Sequence, residues 1–220
     1  MNTDDQRLNL VTATERLSRE IGGANRVVFD LDGTIYDTRD FERPALESVV
    51  NWLREKSGRS LDGLTVELWL RRETDRHRSG LFDDVLHKFD LPLAWGAECA
   101  QRFHDHSPSG LTSEYSLREY LLELRARGLR LALVSNGRDR LQQRKCDAIG
   151  LRGLFDECII CGPDFPERQK PGSWAWSQLA NWRAGLPTVY VGDDPVDEVF
   201  AAAGRAGFVK FRFRSPKYAD

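Results

Sequence analysis

Three things are scarce in this chain: long apolar runs, charge of one sign, and cysteine. No stretch of the 220 residues approaches the roughly 20 apolar positions that a membrane helix needs. The segment Met1 to Glu20 is polar and charged, without the apolar stretch of a secretory signal. The expectation is a cytoplasmic protein with no membrane partner. Lys and Arg number 32 against 34 Asp and Glu, a formal net charge of −2 with no long block of one sign. That balance argues against a nucleic-acid partner. The four cysteines are Cys99, Cys146, Cys158 and Cys161, and only Cys158-Ile-Ile-Cys161 has redox or zinc spacing. It lies in an apolar run, Glu157 to Cys161, that reads as a strand. A separation of three puts the two sulfurs on opposite faces of a strand. No second CxxC completes a zinc set, so the cysteines are expected to be buried core thiols.

What is present is an ordinary globular composition, 40% hydrophobic and 30% charged. The length suits one large domain, or a core domain with a smaller insertion. Leu8 to Ile21 carries a helical stripe, stopped by Gly22-Gly23. Arg26 to Leu31 is a short apolar run, as in a strand buried on both faces. From Asp40 to Pro108 the pattern is helical. Pro44 sits near a helix start, and Leu64 to Arg78, Leu81 to Phe89 and Gly96 to His104 follow, with turns at Lys56-Ser57-Gly58, Ser79-Gly80 and Leu91-Pro92. Alternation then sets in. Helices are expected over Leu117 to Arg127, Asp139 to Ile149, Trp174 to Trp182 and Val196 to Ala206. Strands are expected over Leu129 to Val134, Glu157 to Cys161, Thr188 to Val191 and Phe208 to Phe213. Such alternation predicts an α/β fold, a doubly wound parallel Rossmann-like sheet, interrupted by an all-helical insertion. The expected division is residues 1–38 and 113–220 for the core, with 39–112 inserted and 1–24 an extension without an assigned role.

In such a sheet, sites form beyond the carboxyl ends of the strands. The first strand ends in Asp30-Leu31-Asp32-Gly33-Thr34, two carboxylates at i and i+2 and then a turn glycine. Another ends in Ser135-Asn136-Gly137, and a third in Gly192-Asp193-Asp194-Pro195-Val196-Asp197. Lys170-Pro171 sits in a loop before a helix. Two or three of these carboxylates suit Mg²⁺, a hard ion that takes few protein ligands and keeps its waters. Ser135, Lys170 and turn amides suit the remaining charge of a phosphate. One aspartate is then placed to attack phosphorus, and Asp32 to trade a proton.

In order and spacing, these four segments resemble motifs I to IV of the haloacid dehalogenase (HAD) superfamily. The resemblance covers about Arg26 to Phe213. It implies a phosphatase with Asp30 as nucleophile, forming an aspartyl-phosphate, and Asp32 as general acid and base. It implies Mg²⁺ held by Asp30, Asp193 and the Asp32 backbone carbonyl, with Asp197 supporting the metal or Lys170. Asp194 doubles the acid in motif IV, so either carboxylate could reach the metal or its waters. Gly33, Thr34, Ser135, Asn136 and Lys170 are implied to bind or orient the phosphoryl group. The helical insertion resembles a C1-type cap that closes over the substrate, hinged at about Tyr36 to Phe41 and Pro108 to Tyr115. A small phosphorylated metabolite is the implied substrate, and a monomer or homodimer the expected assembly. Asp32 separates this reading from the dehalogenase branch, which attacks carbon without the second aspartate or the metal. A phosphomutase of the same architecture is the enzymatic alternative, and a catalytically silent binding protein on the same fold the other.

Three further groups have plainer readings. His104-Asp105-His106 reads as an exposed helix end rather than a metal site. Arg71, Arg72, Arg76, His77 and Arg78 read as a solvated face, with Arg71, Arg72 or Arg76 as candidates to meet a second anionic group of a substrate. Trp174, Trp176 and Trp182 read as core.

Overall fold

The computed structural model describes residues 15–74, 80–111, 115–180, 185–215 and 218. Its sheet has five strands: β1 (Arg26–Phe29), β2 (Arg130–Asn136), β3 (Glu157–Cys161), β4 (Thr188–Gly192) and β5 (Gly207–Lys210). Every neighbouring pair is parallel, in the order β3-β2-β1-β4-β5. All four residues of β1 are buried, which is why its sequence is a continuous apolar run without alternation. The chain leaves β1 toward β2 and β3 on one side and toward β4 and β5 on the other. The carboxyl ends of β1 and β4 therefore flank the point where strand order reverses, where a doubly wound sheet opens its crevice.

Contacts divide the chain into two compact units, Met1–Thr38 with Leu111–Asp220, and Arg39–Gly110. Among the described residues, the second unit holds four α-helices: α1 (Arg39–Ser57), α2 (Leu64–Thr74), α3 (Leu81–Lys88) and α4 (Gly96–Asp105). Its core is the stripe Phe41, Ala45, Leu46, Val49, Val50 and Leu53 of α1, with Phe103 of α4 edge-on to Phe41 at 5.6 Å. α1 begins at Arg39, and Pro44 lies inside the helix near that start. A short 3₁₀ turn, Leu93–Trp95, follows the expected break at Leu91-Pro92. Part of the stretch expected to continue α2 falls outside the described residues, Arg76, His77 and Arg78 included.

The first unit carries α5 (Tyr115–Ala126), α6 (Asp139–Ile149), α7 (Trp174–Gln178) and α8 (Pro195–Ala203). Residues 15–20 are helical, and Leu17 and Ile21 are fully buried, so this end of the N-terminal extension packs into the core. The earlier part of the expected Leu8 to Ile21 helix lies outside the described residues. α7 is shorter than expected because the chain turns extended at Leu179, and Trp182 is also outside the described residues. β5 stops at Lys210, after which the Phe211 amide donates back to the Gly192 carbonyl at 2.9 Å.

One face of the sheet is closed by an aromatic group. Trp176 stacks on Phe200 at 4.7 Å, Tyr190 meets both edge-on, and the Trp176 indole N–H donates to the Phe200 carbonyl at 2.8 Å. The ring lies directly against Gly204, where a Cβ would overlap the indole. Gly204 has an ordinary negative φ, so an alanine there meets only the overlap. Gly204→Ala is expected to destabilise the protein by about 1–3 kcal/mol through overpacking, seen as a lower midpoint in chemical denaturation.

Candidate active site

The site is built on the ends of β1, β2 and β4. Asp30 is the first residue beyond β1, and its amide still donates to the Val191 carbonyl of β4 at 2.9 Å. The chain then turns: the Ile35 amide donates to the Leu31 carbonyl at 3.0 Å and the Gly33 amide to the Tyr36 carbonyl at 3.1 Å. Gly33 has φ +86°, and a Cβ there would sit 2.5 Å from the Asp193 carboxylate. The residue must therefore be glycine for two reasons, its backbone conformation and the approach of β4's acid.

Lys170 fills the centre of this edge. Its ammonium donates to Asp30 Oδ1 at 2.6 Å, to Asp197 Oδ1 at 2.7 Å and to the Tyr190 hydroxyl at 2.8 Å, and all four groups are buried. Asn136 fixes the lysine in place. Its side-chain amide donates to the Lys170 carbonyl at 3.0 Å, and its side-chain oxygen accepts from the Lys170 amide at 2.8 Å. Asn136, read from sequence as a phosphate ligand, thus spends its side chain on holding Lys170. Burial pushes the Asp30 carboxyl up to about 7, because Lys170 is shared with Asp197 and only partly offsets the desolvation. Burial alone would lower Lys170, but Asp30, Tyr190 and Asp197 outweigh it and hold the ammonium well above its ordinary range.

Beyond β4, Asp193 receives Arg212, whose Nε lies 2.7 Å from Oδ2. Asp194 caps α8: its Oδ1 accepts from the Val196 amide at 2.9 Å, while Asp197 Oδ2 accepts from the Asp194 amide at 3.1 Å. This reciprocal pair with Pro195 in the first turn is a capping box. The second acid of motif IV is thereby a helix cap. The carboxylates of Asp30, Asp193 and Asp197 have oxygens within 4.8 Å of one another, and no other His, Cys, Asp or Glu group of this kind occurs among the described residues. Three hard oxygen donors on a buried edge fit a divalent cation such as Mg²⁺.

Asp32 belongs to a different set of partners. Lys145 Nζ donates to its Oδ1 at 2.7 Å, Gln142 Nε2 to its Oδ2 at 2.6 Å, and the Tyr36 hydroxyl to its Oδ1. Burial would raise this carboxyl, but Lys145 and the two other donors prevail and lower it below the usual range. Gln142 also donates to Ser135 Oγ at 2.7 Å, tying the end of β2 to Asp32. Thr34 is buried under the turn, its hydroxyl 3.5 Å from the Phe211 carbonyl.

The remaining sequence candidates lie elsewhere. Arg71 donates to Glu67 at 2.5 Å and Asp84 at 3.2 Å, and Arg72 to Glu42 at 2.8 Å. Their charge is already met by acids of the helical unit, which removes the reason to assign them a substrate anion. The four cysteines are free thiols, and burial raises each of them; Cys99 and Cys146 reach about 12 and Cys161 about 11. Such thiols are not nucleophiles at neutral pH.

The haloacid dehalogenase-like hydrolase family matches residues 25–205. The chain belongs to that family. A glyceraldehyde 3-phosphate phosphatase of Methanopyrus kandleri is 26% identical over 201 residues, covering 88% of this chain and 85% of the relative. A phosphoglycolate phosphatase of Aquifex aeolicus is 29% identical over 147 residues, 65% of this chain and 63% of that one. Among solved structures, CbbY from Rhodobacter sphaeroides, in complex with phosphate, aligns with a TM-score of 0.54 at 18% identity over 90% of each chain. That likeness concerns the fold.

Within this haloacid dehalogenase-like core, the sequence motifs fall on the three strand ends as expected, but five supporting residues did not come from them. Tyr36, Gln142, Lys145, Tyr190 and Arg212 lie outside the motif pattern. Gln142 and Lys145 carried a signal, since they are polar residues three apart on the apolar side of α6, beside the buried Leu141, Cys146 and Ile149. Lys170→Met would leave two acids buried without their shared cation. It is expected to cost about 3–5 kcal/mol at pH 8 by urea denaturation. The cost is expected to shrink at pH 5, where a protonated Asp30 no longer needs the cation.

Proposed function

We propose that this hydrolase is a Mg²⁺-dependent phosphatase that cleaves a small phosphorylated metabolite through an aspartyl-phosphate at Asp30. The chain acts as a phosphoric monoester hydrolase, in keeping with the activities named for its relatives. The observation that carries the reading is the separation of the two motif I aspartates: Asp30 stands in the acidic trio against Lys170, and Asp32 stands outside it among neutral and cationic donors. Two carboxylates two residues apart have been given different chemical surroundings, as a nucleophile and a proton carrier require.

Asp30 attacks phosphorus while Lys170 screens its charge. Asp32 protonates the leaving oxygen and afterwards takes a proton from the water that hydrolyses the acyl phosphate. Ser135 and Thr34 orient the phosphoryl oxygens. Asp30, Asp193 and the Asp32 backbone carbonyl would hold Mg²⁺, with Asp197 supporting. When bound, the ion supplies positive charge against the phosphoryl oxygens. The substrate is of the size of glyceraldehyde 3-phosphate or phosphoglycolate, the compounds named for the two relatives. The helical unit Arg39–Gly110 is assigned the family's cap role of selecting it. We place the enzyme in the cytoplasm, as a monomer or homodimer, without nucleic-acid or membrane partners.

The test is release of inorganic phosphate from p-nitrophenyl phosphate and from two- and three-carbon phosphate esters with Mg²⁺. Asp30→Asn is expected to lower kcat by at least about 10³-fold, as loss of a nucleophile does. Phosphate release from no ester, or isomerisation of a sugar phosphate without release, overturns the reading. A second check is metal binding by thermal shift. A carboxyl raised from 3.8 to about 7 favours the fold below pH 4, and that contribution is lost as the pH climbs through 7. Mg²⁺ binding requires the ionised form, so the Mg²⁺-induced rise in Tm is expected to be larger at pH 8 than at pH 6, and to vanish in Asp193→Asn.

A further inference from the structure

The Asp32 carboxylate is held from two directions. Tyr36, four residues on in the same turn, donates its hydroxyl to Oδ1. Lys145 and Gln142 reach it from α6, the helix that begins just after Ser135-Asn136-Gly137. The three side chains are themselves fixed. Tyr36 is fully buried, Gln142 is 1% exposed and Lys145 6% exposed. Gln142 is braced from behind by Gly137, where a Cβ would come within 2.8 Å of its side-chain amide carbon, and it also donates to Ser135 Oγ at 2.7 Å and to the Asn136 carbonyl at 3.1 Å. A lysine of this burial needs an anion beside it, and Asp32 supplies it at 2.7 Å.

This arrangement fixes a direction as well as a charge. An ionised carboxylate has about four lone-pair sites. Two donors occupy Oδ1 and one occupies Oδ2, which prevents the group from rotating and leaves acceptor capacity on Oδ2. The acidic trio consists of Asp30, Asp193 and Asp197 and does not include Asp32. Without its three donors, a carboxylate two residues from Asp30 would turn toward whatever cation neutralises that trio.

We propose that Lys145, with Gln142 and Tyr36, is a positioning set for Asp32, holding its carboxylate clear of the acidic trio and aimed at the leaving oxygen. The inference rests on the assignment of Asp32 as proton donor. Lys145 does not touch the substrate; it acts through Asp32. Asp32 is ionised at rest; it takes a proton from solvent at the open position of Oδ2, that proton passes to the ester oxygen as the P–O bond breaks, and Lys145 keeps its own protons throughout.

The experiment compares kcat/KM, which reports steps up to departure of the leaving group, for two classes of substrate. Alkyl phosphates have poor leaving groups and need the proton, whereas p-nitrophenyl phosphate does not. Lys145→Met is expected to lose about 10²-fold on an alkyl phosphate, the lower end of what general acid catalysis supplies, and less than about 10-fold on the aryl ester. Lys145→Arg is expected to restore most of the alkyl activity. Tyr36→Phe, which removes one hydroxyl from a buried ring, is expected to show the same bias more weakly and serves if Lys145→Met does not fold. Equal losses on both substrates, or none, overturn the inference. Asp32→Asn is the control that separates the two claims. If it shows the alkyl bias and the Lys145 and Tyr36 variants do not, the positioning role fails alone. If it shows no bias, the assignment of Asp32 as proton donor fails and takes the inference with it.

Discussion

The acidic cluster at the sheet edge depends on one buried ammonium, Lys170. Asp30 follows β1, Asp197 lies in the first turn of α8 and Tyr190 within β4, yet all three point at Lys170. Two carboxylates so deeply buried repel strongly and lose hydration, and neither cost is tolerable without a cation between them. The lysine reaches that position because Asn136 pins its backbone on both sides. Motif II therefore contributes to the charge balance by fixing motif III, and motif III by neutralising motifs I and IV.

A second consequence of the same geometry is that charge is distributed unevenly over a short distance. Asp30 shares its cation and is pushed upward, while Asp32 has Lys145 and two further donors and is pushed downward. Two residues of one turn are thus placed in opposite electrostatic regimes by two lysines far apart in sequence, Lys170 in a loop and Lys145 on α6. The turn that separates them depends on Gly33, squeezed against Asp193.

Much of this was legible in the sequence, and what was not has a physical reason. The strands and the α6 helix announced themselves because buried parallel strands are short apolar runs and helices are striped. Asp30 and Asp193 were legible because strand ends concentrate chemistry, and Lys170 from its place in the order of the four segments. The backbone bonds of Asn136 and Asp194 were not legible, because a polar residue beside a site can serve the backbone as readily as a ligand, and spacing does not tell the two apart. Asp194 carried a hint, since an acid followed by proline and then by Asp197 is the composition of a helix start. The arginines of α2 were ambiguous for the opposite reason. Arg71 has one local partner, Glu67, four residues back, but Glu42 and Asp84 lie 30 and 13 residues away, beyond the reach of any local pattern. Lys145 was hidden among the surface charges of α6, although its position on the apolar side distinguishes it.

Asp197 gives each of its oxygens a separate task. One accepts from Lys170 and the other from the amide that starts α8. Only a side chain of this length with two acceptor atoms can do both. Asparagine would keep one bond and present an NH₂ group to the other donor, and glutamate would carry both oxygens a carbon too far. The position is therefore a two-bit marker in sequence space: a related chain with any other residue here must have rebuilt either the environment of its lysine or the beginning of its helix.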